Sequence, residues 1–173
     1  MTFSALDTTV GGVNANSYGT VEELHSYFAN RSEASAFLAM GDETIIARMI
    51  QATIINDTVL YPNGILANTE QALAFPRKKL RDKHGRTYAE DIIPRQIKYA
   101  QFEQALYCFN NSITLPSILT QGFSEVKLDV MSLKLNKEFV PKKMSEDAID
   151  FLSLFGEVAS QNGDMYHVNI VRY

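Results

Sequence analysis

Apolar residues recur at helical spacing through much of the chain. Val21, Leu24, Tyr27 and Phe28 share one helix face. Thr20 precedes them and Glu23 stands three residues on, the arrangement of a capping box, and Asn30 and Arg31 close the helix. Residues 32–40 are predicted as a short helix ended by Gly41. Asp42 is expected to cap a longer one, with Glu43 near the positive end of its dipole. Its inward stripe reads Ile46, Met49, Ile50, Thr53 and Ile54, and it should stop near Leu60, because Tyr61-Pro62-Asn63-Gly64 signals a turn. Pro94 suits the first turn of the next helix, where proline has no N–H to lose. Tyr99, Phe102, Ala105, Leu106 and Phe109 follow with so broad an apolar face that this helix should be central and mostly buried. Ser145 caps a last short helix bearing Ile149, Leu152 and Phe155, stopped by Gly156.

The period changes between these last two helices. Val126, Leu128 and Val130 alternate with Lys127 and Asp129, and Leu133 and Leu135 flank Lys134, so residues 124–139 are predicted as a β-hairpin turning near Met131-Ser132. Tyr166, Val168 and Ile170 alternate again, as in an edge strand or a C-terminal tail that pairs with something. Residues 1–19 are rich in Gly, Thr, Asn and Ser and read as a flexible arm. The expected fold is therefore mainly α. It is a small helical bundle over residues 20–156, with a long basic loop at 61–92, the inserted hairpin, a flexible N-terminal arm and an extended C-terminal strand or tail at 157–173.

At 173 residues, 46% hydrophobic and 21% charged, the chain has the size and composition of one globular domain. Its apolar runs fall short of the roughly 18 residues a membrane span needs. The first residues lack the basic and apolar regions of a signal peptide, so a reduced, cytosolic setting is expected. The lone Cys108 excludes an internal disulfide framework, and its apolar neighbours Leu106 and Phe109 suggest a buried, inert thiol. His25, His84 and His167 are scattered without a second ligand at metal-site spacing. Gly11-Gly12 follows no strand and makes no nucleotide fingerprint, and there is no phosphate-binding loop and no nucleophile elbow. Asp147 and Asp150 share a helix face that a solvated surface explains. No catalytic residue, metal or cofactor is expected, and the chain reads as non-enzymatic.

Charge changes this picture at one place. Arg77, Lys78, Lys79, Arg81, Lys83 and Arg86, against Asp82, give residues 77–86 a charge of +5; the whole chain carries −4, so the remainder carries −9. Such a run is either a solvated loop or a surface that faces phosphates or an acidic partner. No aromatic interleaves it before Tyr88, which argues against a stacking surface for single strands.

Three stretches resemble a family of small helical proteins from tailed bacteriophages. These are the head–tail adaptor (head completion, or connector) proteins, whose relatives often carry the description DnaT-like single-stranded-DNA-binding protein. The first is Asn16-Ser17-Tyr18 with the helix ending in Tyr27-Phe28; the second Gln71-Ala72-Leu73-Ala74-Phe75-Pro76-Arg77, where the family more often has Trp before Pro-Arg; the third Ile93-Pro94-Arg95-Gln96-Ile97. The likeness spans about residues 14–155. The run of charge after Pro76 is longer than the resemblance leads one to expect, and the resemblance places no counterpart for the chain after Gly156. The resemblance implies a structural virion protein of the neck. It would form a dodecameric ring that docks under the portal, continues the DNA channel and offers the tail, or a second neck protein, its attachment surface. Its partners would be itself, the portal, that tail or neck protein and packaged DNA, with no membrane. Residues 77–86 would face DNA or a partner. Val126, Leu128, Leu133 and Leu135 on the hairpin, and Tyr166, Val168, Ile170 and Tyr173 on the tail, would dock neighbours. The alternative is a single-stranded-DNA-binding accessory protein that uses the same basic loop.

Overall fold

A computed structural model describes residues 5–112, 126–128, 131–133 and 144–159. It is mainly helical. Helix α1 (Val21–Phe28) starts with the expected capping box: the Glu23 N–H donates to Thr20 Oγ1 at 3.2 Å and the Thr20 N–H to Glu23 Oε2 at 3.0 Å. It ends before Asn30. The short helix at 32–40 is a 3-10 turn (Ser32–Ala34) running into α2 (Ser35–Leu38). Helix α3 (Asp42–Val59) is capped by Gly41, not Asp42; Asp42 is its first helical residue, where its carboxylate still favours the helix dipole. Its buried face is also rotated from the expected stripe. Ile45, Met49, Ala52, Thr53 and Asn56 are buried, Ile46 and Ile50 are half-buried, and Ile54 faces solvent. Met49 and Thr53 are buried as expected, while Ile45, Ala52 and Asn56 take the inward places expected of Ile46, Ile50 and Ile54.

Helix α4 (Arg95–Asn110) is the central element. Pro94 is its N-cap. It packs against α3 on one side and α5 (Glu146–Leu152, capped by Ser145) on the other. Two buried clusters share it. Ile97 and Ala100 join Tyr18, Phe75, Leu80, Ala148, Leu152 and Phe155; Phe102, Ala105 and Leu106 join Leu24, Phe28, Phe37, Ile45 and Met49. Because α4 is buried nearly all round, its polar residues Gln101, Glu103 and Gln104 are buried too, and each is satisfied internally. Gln104 accepts the Ser145 N–H at 3.0 Å, which fastens the start of α5. Glu103 takes the Tyr27 hydroxyl and the Arg31 guanidinium.

Three two-stranded antiparallel ribbons complete the described residues. β1 (Leu60–Pro62) pairs with β6 (Gly156–Val158), β2 (Ile65–Leu66) with β3 (Arg77–Lys78), and β4 (Val126–Leu128) with β5 (Met131–Leu133). The hairpin is present, but Met131 and Ser132 lie inside β5, opposite Leu128 and Lys127, and so do not form its turn. Leu135, Tyr166, Val168, Ile170 and Tyr173 lie outside the described residues. The residues after Gly156 begin as β6, joined to the body of the domain.

Residues 5–19 do not behave as an arm. Ala15, Ser17, Tyr18 and Gly19 are buried, and the Asp7 N–H donates to Asn16 Oδ1 at 2.8 Å. The fully buried Gln101 amide holds this segment. Its oxygen accepts the N–H groups of Tyr18 (3.1 Å) and Gly19 (3.0 Å), and its nitrogen donates to Ser17 Oγ (2.6 Å), Met49 O (3.1 Å) and Thr53 Oγ1 (2.9 Å). Gly19 lies so close to α4 that a Cβ there would come within 2.5 Å of the Phe102 ring.

Gln101→Leu should lower unfolding stability by about 3 kcal/mol, because an apolar side chain leaves several buried partners unpaired at about 1–3 kcal/mol each. Denaturant unfolding followed by circular dichroism checks this, and a loss under 1 kcal/mol would show the segment to be held otherwise.

Candidate nucleic-acid interface

The basic loop is a built structure. Asp57, near the end of α3, is its inner anchor: it accepts the Tyr18 hydroxyl at 2.6 Å and the Ala74 N–H at 2.9 Å. Burial pushes the Asp57 carboxyl above its ordinary range, against these hydrogen bonds and the positive charge of Arg77. Gln71, also buried, donates to the carbonyls of Leu73 (2.7 Å) and Pro76 (3.1 Å) and accepts the Asn68 N–H (3.0 Å), closing the turn before a cis Phe75–Pro76 peptide bond. Phe75 fills the core that Tyr18 and Phe155 also line, edge to face with both.

The six cations expected to form one surface have different roles. Arg77 is an internal bracket: its guanidinium donates to the carbonyls of Asn63 (2.8 Å), Gly64 (2.9 Å) and Ala74 (3.1 Å). It is therefore not a free phosphate ligand. Arg86 bonds Asp82 Oδ2 through Nε at 2.6 Å. Asp82 is the hub of the outer turn, its side chain fully buried. It also accepts the backbone N–H groups of His84 and Arg86, each at 2.9 Å, and the Tyr88 hydroxyl at 3.1 Å. Burial would raise its carboxyl, but these four donors outweigh it and bring it down to about 2. Lys78 faces Glu90 at 3.9 Å, both partly open to water, a pairing worth little.

Lys79, Arg81 and Lys83 remain. All three are exposed and make no ion pair among the described residues. Their backbone is fixed: Arg81 bridges Thr87, and the Lys83 N–H donates to Leu154 O at 2.9 Å. These exposed cations make a short cationic ridge along residues 79–83, on a turn whose backbone is tied down at Arg81 and Lys83. Exposed Glu90, Asp91 and Glu157 limit its extent.

Tyr88 supplies no free aromatic here. Its hydroxyl is held by Asp82 and its ring meets Phe155 edge to face at 5.5 Å. Tyr61 is the aromatic that the sequence reading missed. It is 69% exposed and sits in β1, two residues from Asn63, whose side-chain amide reaches Arg81 O at 3.5 Å. Its place in a turn signal after a helix hid it, because the strand that pairs with it, at Glu157, lies far along the chain.

Other features are chemically quiet. Cys108 is buried and its thiol is pushed up by burial. No group of His, Cys, Asp and Glu among the described residues converges as a metal site, and no described helix is long and apolar enough to cross a membrane. A cleft of about 360 Å³ between α1 and α4 is lined by Glu22, Glu23, Tyr27, Arg95, Lys98 and Tyr99, but Lys98 is neutralised by Glu23 at 2.7 Å.

A helical domain with a rigid cationic turn is the class of protein these observations define. The family model described as "Putative DnaT-like ssDNA binding protein" matches residues 1–173, and the chain belongs to that family. No curated protein and no solved structure matches it. The description agrees with the DnaT-like name expected of relatives and carries no head–tail designation.

The Asp82 turn makes a pH prediction. Its folded carboxyl lies below the ordinary 3.8, so its stabilising contribution is complete above that pH and is lost as pH falls towards 2. The protection factors of the His84 and Arg86 amides, corrected for intrinsic exchange, should fall over this window ahead of those of the Gln101 partners; uniform protection down to pH 2 would remove Asp82 as the hub.

Proposed function

We propose that this chain is a non-enzymatic single-stranded-DNA-binding protein whose contact surface is the ridge formed by Lys79, Arg81 and Lys83. The observation that carries the reading is that these three cations are the unpaired remainder of the basic loop among the described residues, held on a rigid turn, in a chain of a family described as DNA-binding. The mechanism is electrostatic. Each phosphate neutralised by a cation releases a counterion, and this drives association. Outside residues 77–86 the chain carries −9 and repels DNA, so binding is confined to one face and is weak at physiological salt.

A second reading has one specific observation in its favour. Ile65 and Leu66, 57% and 41% exposed, stand on the β2–β3 ribbon opposite Lys78 and Arg77 at the start of the basic loop, and exposed apolar side chains on a ribbon suit a protein contact. That surface fits the neck-adaptor role that the resemblance implied, a virion ring contacting the portal, the tail or a second neck protein, and packaged DNA. Mass spectrometry of purified virions separates the two readings: copies near the portal's count support the ring, and absence from virions sinks it.

For the DNA reading, fluorescence anisotropy of a labelled oligothymidylate against salt gives the test. Log affinity should fall with log salt at a slope of about −2, from three contacts at roughly 0.7 each. Lys79→Ala, Arg81→Ala and Lys83→Ala combined should bring that slope near zero and abolish measurable binding, while Arg77→Ala should lower stability. A triple variant that binds as the wild type does would overturn the assignment of the ridge.

A further inference from the structure

We propose that Tyr61 is a base-stacking platform: one base of a single strand lies on its ring while Arg81 and Lys83 take the flanking phosphates. The inference rests on the DNA-binding reading and adds to it an aromatic contact.

Tyr61 is the most exposed large hydrophobic side chain among the described residues. Its backbone is nevertheless fixed, since Leu60, Tyr61 and Pro62 pair with Val158, Glu157 and Gly156. The same strip of chain holds the cationic turn. Next to the Tyr61–Glu157 and Pro62–Gly156 pairs, Phe155 O accepts the Asn63 N–H at 2.7 Å and Leu154 O accepts the Lys83 N–H at 2.9 Å. The backbones of Tyr61 and Lys83 are thus tied to neighbouring residues of one segment. Asn63, in the bend that follows β1, reaches the Arg81 carbonyl with its side-chain amide at 3.5 Å, so the strand that carries Tyr61 leads directly into chain that touches the cationic turn. A fixed, open ring beside a fixed cationic turn is what sequence-tolerant recognition of single strands uses, because every base offers a π face.

Glu157 lies directly opposite Tyr61 and is exposed. Its carboxylate repels phosphate at that end of the ribbon and so directs the backbone of a bound strand towards Arg81 and Lys83. Tyr88, the aromatic inside the basic loop, is ruled out as a platform by its bonds to Asp82 and Phe155.

The chain contains no tryptophan, so Tyr61→Trp creates a single indole reporter. Adding oligothymidylate should quench its emission in step with the anisotropy change. Tyr61→Ala should weaken binding about tenfold with its salt slope unchanged, and Tyr61→Phe should bind as the wild type does. Glu157→Gln should bind more tightly. Because the ring is exposed, the melting temperature of Tyr61→Ala should match the wild type. If Tyr61→Ala binds normally while the triple cation variant is weakened, the platform is wrong and the DNA reading stands. If the wild-type chain binds no oligothymidylate even at low salt, both fall.

Discussion

The side-chain amide of Gln101 is the constraint on which the rest of the architecture depends. It lies in the middle of the central helix, fully buried, with each of its polar atoms satisfied. An amide in such a place is costly unless every group has a partner. Here the partners come from α3, at Met49 and Thr53, and from the backbone of residues 17–19. The bonds therefore fix three segments at once. They bring Tyr18 to Asp57, and Asp57 in turn accepts the Ala74 N–H and so positions the basic loop. The order of the cationic turn is thus linked through Asp57 and Tyr18 to a hydrogen-bond centre inside the bundle. Asn56 is a contrast: it is equally buried on the next turn of α3, yet its side-chain atoms lack such partners.

Within the loop, charge serves two purposes that sequence alone does not distinguish. Arg77 and Arg86 hold the backbone in place. A guanidinium offers several directed donors, so one side chain can bracket three carbonyls or clamp a buried carboxylate. The two lysines and the arginine between them, Lys79, Arg81 and Lys83, make no such bonds and remain hydrated. The exposed cationic surface therefore carries about half the charge that the run of basic residues suggests, and Arg77 and Arg86 brace the backbone beneath it.

How much was legible in the sequence follows from where the information lies. The capping box at Thr20 and Glu23, the cap at Ser145, the helix start at Pro94 and the buried character of α4 rest on neighbours a few residues apart, and they are found where expected. The inward face of α3 was misread in part: Met49 and Thr53 are buried as expected, but Ala52 and Asn56 are buried beside them and Ile54 is not, a rotation set by packing against α4 and not by α3's own pattern. Residues 5–19 looked like an arm because Gly, Ser and Asn are common in flexible chain. Their holding partner, Gln101, is more than 80 positions away and has no local signature. At the candidate site the run of cations was visible, but their division between internal and external roles was not. Tyr61 was passed over because its neighbours marked only a turn.

An acidic body with a small cationic ridge also decides what kind of binding is physically available. A strand that met this chain elsewhere would approach net negative charge, whereas at the ridge three fixed positive groups face it. Electrostatics alone then gives orientation but little affinity, since each solvated contact is weak and screened within about 8 Å at physiological ionic strength. Any useful affinity must come from a term that salt does not screen. Near the basic loop the exposed apolar candidates are the ring of Tyr61 and the side chains of Ile65 and Leu66. A ring takes a base and so favours nucleic acid; aliphatic side chains on a ribbon favour a protein surface. The balance between those two apolar contributions, more than the count of basic residues, determines which partner the ridge retains.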